Sequence, residues 1–60
     1  MLKYLGEIDC KGDLAMLAGE DVAEKAWYGK LNYFKDLSNN SVFGVSDFEA
    51  DYIFESEEVV

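Results

Sequence analysis

Six carboxylates fall within the last fifteen residues, SDFEADYIFESEEVV, and no lysine or arginine lies among them. They are Asp47, Glu49, Asp51, Glu55, Glu57 and Glu58. Carboxylates at this density can bind a cation, act as an acid–base pair, or face a positively charged protein surface. The choice among these depends on the elements that position them and on what the rest of the chain supplies.

Catalysis has little support in the sequence. The chain has no histidine and its five basic residues are all lysines, so acid–base chemistry would fall to a pair of carboxylates. Such a pair needs a substrate cleft between its members, for which a chain of 60 residues has little room. Cys10 has Lys11 beside it but no identifiable base to activate it. We therefore predict that the protein is not an enzyme, with no catalytic residue and no cofactor.

A cation site is a weaker alternative. The oxygen-bearing residues between Asp36 and Asp47 are spaced partly like the ligands of a calcium-binding helix–loop–helix motif. However, Ser41 stands where that loop requires glycine, and Asp47 replaces the bidentate glutamate. A polar turn through Ser38, Asn39 and Asn40 explains the same residues more simply. No metal ligand is predicted, and a weak divalent-cation-binding domain remains a second alternative.

The net charge of −8 is concentrated in the C-terminal part of the chain. Residues 1–35 carry all five lysines against six acids, whereas residues 36–60 carry seven acids and no base. Direct binding to nucleic acid or to an anionic membrane is disfavoured, because contacts with phosphate need lysine or arginine. The natural partner of such a surface is a basic protein.

The length of 60 residues predicts a single acidic domain over 1–60. Cys10 is the only cysteine, so neither an internal disulfide nor a zinc site can reinforce the core. Large aromatic side chains or a homodimer could supply the missing burial, and both options stay open. A lone cysteine and the lack of a secretory signal favour a reducing compartment, which we take to be the cytoplasm.

The N-terminal half predicts a strand followed by helical structure. Alternating apolar and charged residues predict a strand at about 2–8, with Leu2, Tyr4 and Ile8 on its inner side. Apolar residues at spacings of three and four then predict a helix from 14 to 28, capped by Asp13 and ended by Gly29. Gly19 could break this helix in two, in which case Asp21 would cap the second half.

The middle of the chain predicts a β-hairpin. Leu31 and Tyr33 alternate with polar neighbours, SNN is a cluster of turn residues, and SVFGV resumes an extended pattern. Continuation of the helix through Phe34 fits the apolar spacing almost as well. The predicted fold class is a small α+β domain with an N-terminal strand, one helix that is intact or broken, and a C-terminal antiparallel hairpin or three-stranded sheet.

The acidic segment itself predicts a further strand at 47–57. Alternation with period two would place its acids on one side of the strand and Phe48, Ala50, Tyr52 and Phe54 on the core side. A helix would leave Phe54 outside the apolar stripe, so the strand explains more of the residues. We call the outward-facing row the acidic ladder; it consists of Asp47, Glu49, Asp51, Glu55 and Glu57.

Carboxylates in a row repel one another, so the acidic ladder indicates a function beyond solubility. The segment resembles, in charge alone, the small phage and mobile-element proteins that mimic DNA. We therefore predict an inhibitor that occupies the basic nucleic-acid-binding surface of a partner protein through the ladder residues. The first alternative is an accessory subunit that docks on a larger complex through aromatic residues. The simplest interpretation is an edge strand whose charges only prevent edge-to-edge pairing.

Overall fold

All 60 residues are described by the structure, which is a computed structural model. Three strands form one antiparallel sheet in which strands that are consecutive in the sequence are neighbours, and three helices pack against its faces. The elements follow one another as β1 (Leu2–Ile8), α1 (Lys11–Ala18), α2 (Glu20–Ala26), β2 (Leu31–Asp36), β3 (Ser41–Val45) and α3 (Asp47–Ser56). The predicted α+β class is therefore confirmed, with a three-stranded sheet and three helices.

The sheet is covered on both faces, and each face has its own small core. Leu14 of α1 and Ala23 of α2 pack with Tyr33 on one face. Ala50 of α3 packs with Phe34 on the other face. Consecutive residues of a strand point to opposite faces, so the middle of the central strand, from Asn32 to Phe34, is buried throughout. Each face is apolar because a helical layer lies against it.

The predicted N-terminal strand is confirmed, but its predicted inner side is wrong. A bulge between Tyr4 and Gly6 shifts the pairing of β1 with β2, so Leu5 has no partner residue. Before the bulge, Tyr4 lies on the α3 face of the sheet, whereas Ile8 beyond it lies in the core under α1 and α2. Gly6 has φ of +113°, which a residue with a side chain rarely adopts. Because of the one extra residue, Tyr4 and Ile8 point to opposite faces of the sheet, although an even spacing in a regular strand would place them on the same face.

Of the two alternatives that the sequence leaves open at Gly19, the broken helix is the one present, because α1 ends at Ala18 and α2 begins at Glu20. The predicted caps are wrong. Cys10 rather than Asp13 precedes α1, and Gly19 rather than Asp21 precedes α2. Both aspartates lie in the first turn instead, where a negative charge interacts favourably with the unpaired amides of the helix.

The connection from α2 to β2 is fixed by the Tyr33 hydroxyl. The predicted end of the helix at Gly29 is wrong, since α2 already ends at Ala26. The hydroxyl of Tyr33 accepts a hydrogen bond from the backbone N–H of Tyr28 at 2.9 Å and donates one to the carbonyl of Gly29 at 2.8 Å. The fully buried tyrosine thereby satisfies the backbone groups that the connection leaves unpaired.

The predicted hairpin is confirmed, and continuation of the helix through Phe34 is wrong. In the turn between β2 and β3, Asp36 accepts hydrogen bonds from the amide and hydroxyl of Ser38. Asn40 takes the left-handed conformation, with φ of 61°, which asparagine tolerates better than most residues. Residues 41–45 form a strand, so 36–47 cannot wrap around a cation as a helix–loop–helix loop would.

The predicted acidic strand at 47–57 is wrong, because Asp47–Ser56 is the helix α3. Its start has a recognisable cause in the sequence SDFE. The side chain of Ser46 accepts a hydrogen bond from the backbone N–H of Glu49 at 3.4 Å, and Asp47 and Glu49 place negative charge in the first turn. Serine followed three residues later by glutamate is a capping signal that outweighs the period-two alternation.

The C-terminal residues lie along the free edge of β1. The backbone N–H of Leu2 donates to the carbonyl of Glu58, and the N–H of Val60 donates to the carbonyl of Leu2, both at 2.8 Å. Leu2 and Val59 form a parallel bridge. This edge of the sheet is therefore partly covered by the chain itself.

Candidate functional site

The solvent side of α3 carries most of the acidic ladder, but in a different arrangement from the predicted one. Asp47, Asp51 and Glu55 follow one another at intervals of four residues and form a row along the helix. Neighbouring Cβ atoms in such a row are about 5–6 Å apart. Glu49 lies on another side of α3, and Glu57 follows the last turn as its C-cap residue. The structure thus brings three of the five ladder residues into one row.

Two aromatic side chains lie beside this acidic row, although the sequence pattern predicts them to be in the core. Phe48 is 86% exposed and Tyr52 is 66% exposed. They are four residues apart, so they are neighbours on the helix surface. Each follows one acid of the row, Asp47 and Asp51 respectively, so the two rows run next to each other. We call the resulting surface the acidic–aromatic patch; it consists of Phe48, Asp51, Tyr52 and Glu55.

The opposite side of α3 holds the helix on the sheet. Ala50 is buried and Ile53 is half-buried, whereas Phe54 is 45% exposed and packs one part of its ring on aromatic residues of the sheet. The ring of Phe54 meets that of Tyr4 edge-to-face with centroids 5.0 Å apart, and it lies 5.5 Å from that of Phe34. The inward residues 50, 53 and 54 follow the spacing of three and four, which forces Phe48 and Tyr52 outward.

Asp47 is engaged within the fold. Its carboxylate accepts a 2.6 Å hydrogen bond from the side-chain amide of Asn32, whose own oxygen accepts a 2.7 Å bond from the hydroxyl of Tyr4. Burial raises the pKa of the Tyr4 hydroxyl, and the nearby carboxylates of Glu7 and Asp47 raise that pKa further. Asp47 therefore positions the start of α3, in contrast to the other acids of the ladder.

No lysine neutralises α3. The single ion pair of the structure joins Lys11 to Glu24 at 2.7 Å, between α1 and α2. The last turn of α3 contains no basic residue, although a positive charge would be favourable there. Glu55 lies four residues after Asp51, and such like-charged pairs destabilise a helix. The acidic–aromatic patch thus combines unneutralised charge with exposed apolar area, and each of these is unfavourable for an isolated domain.

The other aromatic residues differ in their exposure. Trp27 is half-buried and stacks on Tyr33, with ring centroids 5.6 Å apart and planes 12° from parallel. Tyr28 is exposed and lies in the connection between α2 and β2, outside any helix. Sequence reasoning missed Phe48 and Tyr52 as surface residues. The signal that could have identified them is the capping sequence at Ser46, which predicts a helix from residue 47 onward. In a helix, Phe48 and Tyr52 lie on a different side from Ala50 and Ile53.

No group of three or more cysteine, aspartate or glutamate side chains is arranged to hold a metal ion. None of the three helices combines the length and the apolar composition that crossing a bilayer requires. Comparison with protein-family models, with curated proteins and with solved structures gave no match to this chain. The strongest indication of function in this chain is therefore the geometry of α3.

Proposed function

We propose that this chain is a small, non-catalytic binding protein of the cytoplasm whose acidic–aromatic patch occupies a basic surface of a partner protein. In the specific form of the proposal, that surface is the partner's nucleic-acid-binding site, and the chain acts as an inhibitor. The observation that carries the proposal is the adjacency on one helix of the exposed rings of Phe48 and Tyr52 and the unpaired carboxylates of Asp51 and Glu55.

The acids supply long-range attraction to a basic partner. Seven of the chain's thirteen acids, and none of its lysines, lie after residue 35. A one-signed surface accelerates encounter with a surface of the opposite sign. If that surface normally binds nucleic acid, the acids occupy the place of phosphates. Because Asp47 is bonded to Asn32, the contacting acids are those of the patch, Asp51 and Glu55, and Glu49 and Glu57 add to the negative field around it.

The aromatic rings supply contacts that charge alone does not provide. Exposed aromatic side chains that become buried at an interface commonly contribute most of its binding energy. Phe48 and Tyr52 therefore require apolar area on the partner, next to its basic residues. The alternative of an accessory subunit that docks through aromatic residues uses this same helix. The two functions differ in how strongly binding depends on salt.

The experiment is capture of partners from bacterial lysate on the tagged protein, washed at low and at raised salt, with DNA as competitor. The first variant replaces Glu49, Asp51 and Glu55 with their amides. The matched control replaces Asp9, Glu20 and Asp21 with their amides, which removes the same charge from the exposed N-terminal half. A further variant replaces Phe48 and Tyr52 with serine, with Met16→Ser as its control, because Met16 is 87% exposed on α1.

We expect a basic, nucleic-acid-binding protein that raised salt or DNA releases. The α3 amide variant and the aromatic variant should lose it, whereas both controls should retain it. Circular dichroism verifies that each variant is folded. Retention of the partner by the folded α3 amide variant would contradict the proposal. A partner that resists salt and depends only on the two rings would favour the accessory subunit.

A further inference from the structure

The two edge strands of the sheet differ in whether their outer backbone groups are hydrogen-bonded. The edge at β1 pairs with the C-terminal residues from Glu58 to Val60. The edge at β3 has no backbone partner beyond β2. We propose that β3 pairs with β3 of a second copy of this chain, antiparallel and around a twofold axis at Phe43. The inference rests on this edge alone and is independent of the proposed function.

The hydrogen-bond pattern determines which backbone groups of β3 face outward. Leu2 and Tyr4 direct their N–H groups away from β2, toward Glu58 and Val60. Their partners on β2, Asp36 and Phe34, therefore direct their own backbone groups toward β3. Opposite these two residues lie Ser41 and Phe43.

It follows from the same alternation that Val42 and Gly44 direct their N–H and C=O groups off the edge of the sheet. No backbone hydrogen bond outside the helices and the sheet involves Val42 or Gly44. Val42 and Gly44 are placed symmetrically about Phe43. In an antiparallel pair centred on Phe43, Val42 of each copy faces Gly44 of the other, and all four outward groups of each copy are satisfied. The edge is thus complementary to itself.

The composition of β3 also favours a second copy. Edge strands that must stay unpaired commonly carry a charge, a proline or a bulge. The strand SVFGV has no charged residue and no proline, and its pairing with β2 is regular. Because the strand is uncharged, two copies of a chain with net charge −8 can approach there without placing like charges opposite each other. A basic or acidic strand of another protein would find no complementary charge on β3.

The dimer would be a six-stranded sheet with a defined distribution of its helices. The twofold axis of an antiparallel pair is perpendicular to the sheet, so both copies of α3 lie on the same face. The α1–α2 pairs lie together on the other face. Phe43, which stacks on Phe34 with centroids 5.8 Å apart, meets its symmetry mate on the face covered by α3. The dimer would therefore present two acidic helices to one side.

The affinity should be weak, because a strand of five residues buries little area. Interfaces well below ~1,200 Å² are weak, so the dimer should form only at high protein concentration. Sedimentation analysis from about 10 µM to about 1 mM should therefore show the mass rising from that of a monomer to that of a dimer. Val42→Pro removes an outward donor without removing a bond to β2, and it should abolish the dimer. The matched control Val42→Thr keeps both the donor and the branched side chain, and it should remain dimeric.

Amide hydrogen exchange of the unaltered protein provides a second measurement that needs no variant. Raising the concentration through the same range should slow exchange at Val42 and Gly44 by several-fold. Exchange at Phe43 should change little, because its N–H is bonded to β2 in monomer and dimer alike. A monomer mass at about 1 mM, where a Kd in that range would half-fill the site, would overturn the proposal. So would a dimer that exchanges freely at Val42 and Gly44.

Discussion

The side-chain amide of Asn32 donates a 2.6 Å hydrogen bond to the carboxylate of Asp47. This bond joins the centre of the sheet to the first turn of α3. Asn32 is the only buried polar residue of the chain, and its amide oxygen accepts from the hydroxyl of Tyr4. The three side chains therefore form a short network on which the position of the acidic helix depends.

Removing the carboxylate of Asp47 should destabilise the protein although the residue is exposed. Asp47→Ala leaves the buried amide of Asn32 without its acceptor and removes a favourable charge from the first turn of α3. A buried donor left unsatisfied costs about 1–3 kcal/mol. Urea unfolding should report this loss. The control Asp51→Ala, in which an exposed acid without a bonded partner is removed, should change the free energy of unfolding by less than about 0.5 kcal/mol.

The network also predicts a loss of stability in alkali. The pKa of Tyr4 is raised in the folded protein above its ordinary value of 10.0. The folded state then holds the phenolic proton more tightly than the unfolded state does. The resulting stabilisation is present below about pH 10 and disappears as pH rises through the folded pKa. Melting temperatures measured from neutral to alkaline pH should therefore fall more steeply for the unaltered protein than for Tyr4→Phe.

Tyr4→Phe should also be less stable at neutral pH, because Asn32 loses a donor to its side-chain oxygen. Tyr28→Phe serves as the control, since its ring is 86% exposed and its side chain makes no hydrogen bond within the fold. Its alkaline profile should follow that of the unaltered protein. Equal slopes for Tyr4→Phe and the unaltered protein would contradict the link between this hydroxyl and stability.

Gly44 should tolerate no side chain. A Cβ atom at this position would lie 2.7 Å from Cε1 of Tyr33 and 2.9 Å from Cδ1 of Leu31. Tyr33 is fully buried and hydrogen-bonded at its hydroxyl, so its ring cannot move aside freely. Overpacking of this kind costs about 1–3 kcal/mol, and Gly44→Ala should lower the midpoint of urea unfolding accordingly.

Gly12→Ala is the matched control for that change. A Cβ atom at Gly12 has no contact closer than 3.7 Å, which is ordinary van der Waals distance. Gly12 lies within α1, where alanine is favoured over glycine by up to about 1 kcal/mol. The two substitutions should therefore shift the midpoint in opposite directions. If Gly44→Ala and Gly12→Ala shifted the urea midpoint in the same direction and by a similar amount, the close approach of Tyr33 to Gly44 would not exclude a side chain at residue 44.

The elements with a single strong local signal could be predicted from the sequence. The turn cluster SNN indicates the hairpin, whereas Gly19 is a weaker signal that is compatible with an intact helix as well as with the break between α1 and α2. The acidic segment carries two conflicting signals, since its acids alternate with period two while Ser46 and Glu49 form a helix start. The alternation of Phe48 and Tyr52 with acids suggests burial, although tertiary packing buries Ala50 and Ile53 instead.

The layers of the fold could not be predicted in the same way. A pattern of one polar and one apolar side assumes that only one face of the sheet is covered. Both faces are covered in this protein, so the burial of Asn32, Tyr33 and Phe34 in succession has no period-two signature. The network from Tyr4 to Asp47 depends on residues from three separate elements. Such a network follows only from their arrangement in space.

The bulge at Leu5 and Gly6 gives β1 one residue more than its pairing with β2 requires. Tyr4 before it lies opposite Phe34 in the α3 layer, and Ile8 after it lies opposite Leu31 in the α1–α2 layer. Loss of Leu5 would restore regular pairing and leave Ile8 opposite Leu31, because Leu5 itself has no partner on β2. A chain shortened by this one residue should therefore keep Tyr4 and Ile8 in their present layers. The register with β2, more than the number of residues in β1, assigns each half of the strand to its helices.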